Sequence, residues 1–438
     1  MGTYMGTRRG QLHLALSVQG AGYYPGSWRH PEVKARQLHE PAYFYRIAQL
    51  AEQGKLDLLY LDRTSIAAQL RATSTEPGLL LEPFTLLGAL ASVTAHIGLG
   101  AAISTSVTEP FAAARQLAAL DHLSGGRIAW LASATDWQEP HRRYGGPPEL
   151  SAAERQERRQ EFIEVAERLW DSWEEDAVIV DKASGRYIDS EKVHLIHHTG
   201  PYFRVRGPLS IPRPPQRYPV RLGLSREQVG LNSDDAEIIF SSRPSIRAAA
   251  DFYAKLGKQR ELSGHSPGSI KVLTTLSPIL GRTEEEARQK AAELKGLVDP
   301  QAALALLSDL FEVDLAAYPL DDPLPAIPAL RAAMEAAEIT ASTLRELTGS
   351  VLELTGTHVF VGTPKQLADW MEAWYQAYGS DGFHLQFPLL ESGLTIFVQH
   401  VIPELQRRGL FRTAYTAATL REQAGLTSID NERISKGG

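Results

Sequence analysis

The sequence predicts a (β/α)8 barrel with large insertions. Eight short aliphatic and β-branched segments alternate with longer segments of helical periodicity. Eight strands that each lead into a helix match the count of this barrel, and right-handed crossovers between parallel strands favour its closure. Neither a G-x-G-x-x-G motif opening a helix nor a G-x-x-x-x-G-K-[ST] motif is present, which disfavours a nucleotide-binding open sheet.

The elements follow in order from composition and periodicity. The predicted strands are short and apolar, as expected of buried parallel strands, and cover 12–18, 56–61, 97–105, 127–133, 220–223, 237–241, 270–276 and 382–387. The predicted helices cover 41–53, 83–95, 110–123, 152–173, 245–262, 284–297, 364–379 and 394–408. Several helices begin at a proline, which lacks only an N–H that would be unpaired in the first turn.

The length leaves room for insertions in a single domain spanning 1–438. A barrel of this type needs about 250 residues, and the chain has 438. We assign the excess to two insertions, at about 136–219 and 297–362, and to a polar C-terminal surface arm at about 413–438. Both insertions follow strands, so we expect them near the carboxyl ends of the strands, where barrel active sites lie.

Composition excludes several classes of protein. The net charge of −7 provides no general positive field for nucleic acid or an anionic membrane. The absence of cysteine excludes disulfides, zinc–thiolate sites and cysteine nucleophiles. No apolar run approaches the roughly 18 to 20 residues of a membrane span, and the N-terminus is a poor signal peptide. The sequence therefore predicts a soluble cytoplasmic protein that binds neither nucleic acid nor membrane.

Polar side chains follow two of the predicted strands. Asp62 ends the second strand, and Ser104 and Thr105 end the third. Carboxylates and hydroxyls at the carboxyl ends of barrel strands often bind ligands. For Asp62 a structural alternative stays open, in which the carboxylate caps a loop or pairs with Arg63.

The loop after the first strand is rich in aromatic residues, with Tyr23, Trp28 and His30 as candidates to line a pocket for a planar ligand. A packing role for these side chains is equally compatible with the pattern. The densest histidine cluster, His194, His197 and His198, matches no zinc-ligand spacing, so no metal site is predicted. No nucleophile-elbow or H-E-x-x-H motif is present, which disfavours the common hydrolases.

The chain resembles the bacterial luciferase-like flavin monooxygenases, in the branch that contains the nitrilotriacetate, EDTA and dibenzothiophene-sulfone monooxygenases. The resemblance runs from about residue 10 to residue 425. It rests on the segments Gly26-Ser27-Trp28-Arg29-His30-Pro31, Leu61-Asp62, Leu120-Asp121-His122-Leu123-Ser124-Gly125-Gly126-Arg127, Leu169-Trp170-Asp171-Ser172-Trp173, Asp381-Gly382-Phe383 and Val401-Ile402-Pro403-Glu404-Leu405-Gln406-Arg407-Arg408-Gly409-Leu410.

The resemblance implies an oxidoreductase that takes reduced FMN from a separate flavin reductase and uses O2 to oxygenate a small organic substrate. It also implies a homodimer or homotetramer. The residues expected around the flavin are Asp62, Ser104, Thr105, Thr135, Arg221 and Ser225. Those expected on the substrate side are Tyr23, Trp28 and His30. No catalytic acid or base is assigned, and no metal is required.

This sequence departs from the family pattern at several usual flavin contacts. Leu131 stands where an asparagine is common, Ala152 and Gln156 replace a histidine and a tyrosine, and Leu224 falls in the phosphate-binding segment before Ser225. A threonine of the third strand is also replaced, by Ala102. Each lost hydrogen bond to a ligand costs about 0.5 to 1.5 kcal/mol.

The departures leave three alternatives open. Arg221 and nearby arginines could supply phosphate contacts by another route, or they could be solvated surface residues. The barrel could also have lost flavin chemistry and act as a binding or accessory subunit. A third possibility is a deazaflavin in place of FMN, as in other members of the superfamily.

Overall fold

The computed structural model describes residues 10–62, 81–134, 150–226, 230–231, 235–264 and 269–426. The chain divides into two compact units. Unit 1 contains residues 1–82 and 223–415, and unit 2 contains 83–222 and 416–438. Each unit has its own set of parallel strands, described separately below.

All eight predicted strands are confirmed. They are β1 (His13–Val18), β2 (Leu58–Leu61), β3 (Gly98–Ser104), β4 (Ile128–Ser133), β5 (Val220–Arg226), β6 (Ile238–Ser242), β7 (Lys271–Leu280) and β8 (Gly382–Leu385). Strands β5 and β7 continue beyond their predicted ends. The C-terminal residues of β7, Leu276–Leu280, pair in parallel with a further strand, His358–Gly362, from the second insertion.

In unit 1 five parallel strands lie in the order β6, β7, β8, β1, β2. Their registers place Thr275 beside His384 and Ser17 beside Tyr60. Aligned residues of neighbouring parallel strands point to the same face of a sheet. These four polar side chains therefore share one face, although most of the surrounding strand residues are apolar and buried.

In unit 2, β3 pairs with β4, and β4 pairs with the first residues of β5, again in parallel. The β4 residue Trp130 is fully buried and packs edge-on against Trp170 and beside Phe162. Both of these partners lie on the helix Ala152–Trp170, which begins with a capping box between Ser151 and Glu154. The long helix is thus held to β4 by aromatic burial.

The predicted helices are also confirmed, and one of them is interrupted. The helices are Pro41–Gln53, Pro83–Val93, Pro110–Ser124, Ala152–Trp170, Ile246–Leu262, Glu284–Leu297, Pro300–Phe311, Pro328–Ala336, Leu344–Thr348, Val351–Leu354, Pro364–Gln376, Leu390–Ile396, Ile402–Arg407 and Leu420–Gln423. The segment predicted as one helix at 394–408 contains a π-helical turn, Phe397–Val401. Pro403 follows it and lacks the N–H that a regular α-helical ladder needs there. No helix in the described ranges is long and apolar enough to span a membrane.

The two predicted insertions contain different structures. The first carries two antiparallel pairs of short strands, Val178–Asp181 with Arg186–Ile188 and His198–Thr199 with Arg204–Val205. The second is helical and contributes Leu304, Leu307 and Leu347 to an apolar cluster that also contains Ile279 and Leu389 from outside it. The assignment of these segments as insertions of a single domain stays a prediction.

The C-terminal segment predicted as a surface arm is partly buried. Leu420 and Ala424 are fully buried, and Arg421 is 7% exposed. The Arg421 amide donates to Gln216 Oε1 at 3.1 Å, and its guanidinium donates to the Tyr218 carbonyl. The prediction was wrong for residues 420–426, because three apolar positions among polar neighbours were enough to form a buried helical turn.

The Gly-Gly turn before β4 has a structural role. Gly125 and Gly126 have φ values of +69° and +84°, which glycine adopts at little cost. Asp121 is fully buried, and its carboxylate accepts from the Ile128 and Gln216 amides. Burial raises the pKa of Asp121, although the bonds from Gln216 oppose that rise. The turn therefore closes one helix and starts a strand.

The buried carboxylate of Asp57 fixes the start of β2 in unit 1. It accepts from the Leu14 amide at 2.7 Å and from the Arg412 guanidinium, and it contacts His13 Nδ1 at 2.9 Å. Burial alone would raise the pKa of Asp57. The Arg412 charge, His13 and the Leu14 amide outweigh burial and lower the pKa below its usual value.

We predict that Asp57→Asn destabilises the protein by about 3 to 5 kcal/mol, because it leaves the buried Arg412 charge without its counter-ion. Urea denaturation with the exposed Asp321→Asn as matched control measures the difference, since Asp321 also pairs with an arginine. The stability contributed by Asp57 should be present above pH 4 and lost as pH falls through its lowered pKa. Equal losses in the two variants at pH 7 would contradict the prediction.

Candidate active site

Two residues predicted from different parts of the sequence meet in unit 1. The Tyr23 hydroxyl, in the loop after β1, donates to Asp62 Oδ2 at 2.6 Å. Asp62 follows β2 directly and is 6% exposed. The residue expected at the flavin and the residue expected at the substrate are therefore in direct contact.

Further polar side chains continue from this pair along the shared face of the unit 1 sheet. Ser17 Oγ lies 2.5 Å from His384 Nε2, and His384 Nδ1 lies 3.4 Å from Thr275 Oγ1. The imidazole of His384 stacks on Phe240 with ring centroids 3.9 Å apart. A row of polar groups thus crosses an otherwise apolar region.

Burial sets the protonation states in this row. It lowers the pKa of His384 to about 4, so the imidazole is neutral near pH 7. Burial and the Asp62 carboxylate raise the pKa of Tyr23 and of Tyr60 well above the ordinary value for tyrosine. These side chains are therefore neutral hydrogen-bonding groups and not acids or bases at neutral pH.

Two buried hydroxyls on the same face have no hydrogen-bond partner within the described residues. They belong to Tyr60, which is 1% exposed, and to Ser277, which is fully buried. Ser277 lies two residues after Thr275 on β7, so both side chains point to the same face. Buried hydroxyls are normally paired with protein, water or ligand. Unpaired hydroxyls near an aromatic surface and a carboxylate fit the polar ring and hydroxylated chain of a flavin.

A second polar group surrounds Ser225, the residue predicted to bind phosphate. Its Oγ accepts from Arg243 Nη2 at 2.7 Å. The Arg243 guanidinium lies 4.1 Å from the ring centroid of Phe252, and its carbonyl accepts from His358 Nε2. Arg243 is 9% exposed. A buried cation beside a serine is an arrangement that suits a phosphate group.

The remaining predicted flavin residues lie in unit 2 or outside the described residues. Thr105 is buried and its hydroxyl donates to the Ser133 carbonyl at 3.2 Å, while Ser104 is partly buried. Arg221 forms an ion pair with Glu167. Thr135 lies outside the described residues. Their roles toward a flavin stay predictions, and for Arg221 the ion pair already neutralises the charge that a phosphate would meet.

Trp28 lies within the short 3-10 helix Ser27–Arg29 of unit 1, and His30 follows it directly. Trp28 is partly buried, and His30 is 5% exposed. His30 Nε2 lies 3.5 Å from Glu293, and the Arg29 guanidinium donates to the Leu297 carbonyl. The loop is thus fastened to the helix Glu284–Leu297, and a substrate contact of these residues stays a prediction.

The departures from the family pattern differ in their surroundings. Leu131 is buried on β4, whereas Ala152 and Gln156 are exposed at the start of their helix. Leu224 is partly buried before Ser225. None of these four side chains offers a carboxylate, imidazole or guanidinium, so recognition of a charged group depends on other residues.

The histidines of the first insertion do not converge. His198 Nε2 lies 2.8 Å from Glu161 Oε1, whereas His194 Nε2 lies 2.7 Å from Glu174 Oε1. Across the part of the chain that the structure describes, no three histidine, aspartate or glutamate side chains are arranged to hold a metal ion.

Comparison with known proteins agrees with the fold. The sequence pattern described as luciferase-like monooxygenase matches residues 13–381. The chain therefore belongs to the luciferase-like monooxygenase family, and its fold is the predicted (β/α)8 barrel. It is an enzyme of the flavin-dependent monooxygenase class.

Individual relatives cover nearly the whole chain. It is 41% identical over 437 residues to the N-acetyl-S-(2-succino)cysteine monooxygenase of Bacillus subtilis (strain 168), covering 96% of this chain and 98% of that protein. It is 38% identical over 444 residues to nitrilotriacetate monooxygenase component A of Aminobacter aminovorans, with the same coverage. A crystal structure of riboflavin lyase with modified FMN and riboflavin has a TM-score of 0.80 and 28% identity, covering 96% of this chain and 97% of that chain.

Sequence reasoning missed the interior members of the site, namely Ser17, Tyr60, His384 and Arg243. A usable signal exists for three of them, because each is a polar residue within a short apolar strand. A polar group in such a strand needs a partner, and matching strand registers would have brought these three together. Arg243 follows a strand and had no comparable signal.

We predict that Tyr23→Phe destabilises the protein by about 1.5 to 3 kcal/mol, since it removes a hydrogen bond to a carboxylate. The adjacent Tyr24→Phe is a matched control that removes the same atom. The Tyr24 hydroxyl donates to the neutral Gly349 carbonyl, so its loss should cost only about 0.5 to 1.5 kcal/mol. Urea denaturation of both variants measures the difference, and a larger loss for Tyr24→Phe would contradict this account of Asp62.

Proposed function

We propose that the protein binds reduced FMN, supplied by a separate flavin reductase, and monooxygenates a small organic substrate with O2. The observation that carries the proposal is the contact between Tyr23 and Asp62, beside unpaired hydroxyls on an aromatic face. When bound, the flavin would supply the O2 chemistry, which no side chain of this protein can provide. The protein must then bind, orient and shield the reacting groups.

Each part of unit 1 has a separate task in this proposal. Asp62 and Tyr60 would hydrogen-bond the flavin, and Ser225 with Arg243 would bind its phosphate. Tyr23 holds the Asp62 carboxylate in one orientation. The aromatic loop after β1 would exclude water from the reacting atoms, which strengthens every hydrogen bond inside. Phosphate recognition by buried Arg243 also provides a route that does not depend on Arg221.

The relatives indicate only the general class of substrate. The names of two of them specify N-acetyl-S-(2-succino)cysteine and nitrilotriacetate, both small organic acids. We propose a substrate of similar size and use these two compounds as the first candidates. One relative is named component A, which supports a partner reductase. A cytoplasmic location and a homodimer or homotetramer remain part of the proposal.

Titration of the purified protein with oxidised and reduced FMN tests the proposal, followed by O2-dependent turnover of the candidate substrates with a supplied reductase. We expect saturable FMN binding. Asp62→Ala should weaken it about 10- to 100-fold, the equivalent of one hydrogen bond to a charged group. The exposed Asp321→Ala serves as matched control and should bind as wild type does.

The same titration separates the alternatives. Absence of binding by either form of FMN up to high micromolar concentration would refute the proposal and favour an accessory subunit. Tight binding of a deazaflavin without binding of FMN would favour a different cofactor. Unchanged FMN affinity in Asp62→Ala would remove Asp62 from the site.

A further inference from the structure

The first insertion projects a two-stranded ribbon from unit 2, formed by Val178–Asp181 and Arg186–Ile188. Among the described residues, these two strands pair only with each other. The base of the ribbon is anchored by Trp173, which is 8% exposed and donates from Nε1 to the Leu209 carbonyl at 2.7 Å. Every residue from 178 to 188 is exposed. The ribbon is therefore fixed at its base and open to solvent along its length.

The pairing of the two strands divides their side chains between two faces. Val178 is opposite Ile188, and Asp181 is opposite Arg186, so three steps on one strand match two on the other. A β-bulge accommodates the extra residue. Directly opposed residues point to the same side of a sheet, so these four side chains share one face. The residues between the two pairs belong to the second face.

The second face is entirely apolar. It consists of Ile179, Val180 and Tyr187, which are exposed by 39%, 47% and 65%. Val180 has a φ of +47°, a conformation that a β-branched residue rarely adopts. Glycine or asparagine would meet this backbone requirement at lower cost. Valine here indicates a role for the apolar side chain itself, and contiguous exposed apolar side chains are typical of interaction sites.

Charge is distributed unevenly along the ribbon. Lys182 lies at the tip, whereas Glu175 and Glu191 lie at the base, and all three are exposed. Within the described ranges these three side chains form no ion pair, although the neighbouring Asp176 is paired with Lys192. At about 3.3 Å per residue, the tip and the base are roughly 20 Å apart. One ribbon therefore cannot pair its own tip with its own base.

We propose that the ribbon is an interface between two copies of this chain, which pack with their apolar faces together and their strands antiparallel. A two-fold axis at Tyr187 brings the two copies of that ring into contact and covers Ile179 and Val180 of both copies. Each Lys182 then lies over the acidic base of the other ribbon, which matches the unpaired charges. Such self-complementarity about a two-fold axis is what a symmetric homodimer requires.

The inference names a surface for the homo-oligomer of the proposed function and rests on that part of it alone. It does not depend on flavin binding. A specific dimer commonly buries about 800 Å² on each copy, which exceeds the area of one short ribbon face. The ribbon is therefore one part of a larger contact. Its loss should weaken association and leave the folding of each copy unchanged.

Sedimentation over a dilution series measures the dissociation constant of the oligomer. Val180→Asn should weaken association about 10-fold and Tyr187→Ser about 10- to 100-fold, since tyrosines at the centre of an interface contribute strongly. Asparagine readily adopts the backbone conformation of Val180, so this variant keeps the ribbon intact. Tyr318→Ser alters an exposed tyrosine of unit 1 and is the matched control, which should associate as wild type does.

The charge arrangement has a separate test. Lys182→Glu and Glu175→Lys should each weaken association about 3- to 10-fold at low salt, because each change acts twice in a symmetric dimer. The loss should shrink at high salt, since exposed charges are screened. Combining both substitutions in one chain should recover part of the loss. Additive losses in the double variant would overturn the tip-to-base arrangement.

The absence of cysteine from the chain allows the orientation to be measured by cross-linking. Chains carrying Ala183→Cys at the tip and Ser190→Cys at the base are mixed, left to exchange subunits and treated with a short bismaleimide. We expect cross-linked dimers in the mixture and few in either variant alone. Both positions are exposed, so neither substitution removes a buried contact.

Each outcome decides the inference. Association as tight as wild type in both Val180→Asn and Tyr187→Ser overturns it, as does efficient cross-linking of Ala183→Cys with itself. A wild type that stays monomeric at every concentration refutes both the inference and the homo-oligomer of the proposed function. Failure of the protein to bind FMN, with association weakened as expected in the ribbon variants, refutes the proposed cofactor and supports the interface.

Discussion

The hydrogen bond between the Asp57 carboxylate and the Leu14 amide sets the alignment on which the site in unit 1 depends. It lies at the beginning of β1 and β2 and fixes their register, with Ala15 beside Leu58. Two residues further along each strand, Ser17 is beside Tyr60. A shift of one residue would turn these side chains to the opposite face. The buried Arg412 stabilises the charge that makes this anchoring possible.

The interior of unit 1 shows how buried polar groups depend on particular hydrogen-bond partners. Burying any one of these polar side chains without a partner would destabilise the fold, since an unpaired polar group costs about 1 to 3 kcal/mol. They are Thr275, His384, Ser17, Tyr23 and Asp62. The His384 imidazole joins Ser17 to Thr275, and the Tyr23 hydroxyl donates to Asp62. The hydroxyls of Tyr60 and Ser277 lack partners in the described part of the chain and are left unpaired on this face. A polar ligand is the simplest means of pairing them.

The fold was largely predictable from the sequence because its signals are local. Apolar segments and prolines at helix starts predict the eight strand–helix units. Neither signal depends on contacts between distant residues. The exceptions depend on tertiary context, as in the π-helical turn before Pro403 and the buried turn at Leu420. The site was less predictable. Asp62 was found from its place after a strand, but Ser17 and His384 are 367 residues apart and meet only through strand register.

In the proposed site, recognition of the cofactor would depend more on charge than the family pattern implies. The positions occupied by Leu131, Ala152 and Gln156 offer at most one neutral side-chain amide. A buried guanidinium, as at Arg243, contributes hydrogen bonds roughly twice as strong as neutral ones. A few charged contacts can therefore contribute as much affinity as several neutral contacts. Charged contacts would not determine the orientation of the ligand to the same extent. In the proposed site a phosphate contact would fix one end of the flavin and leave the ring to be positioned by Asp62 and Tyr23.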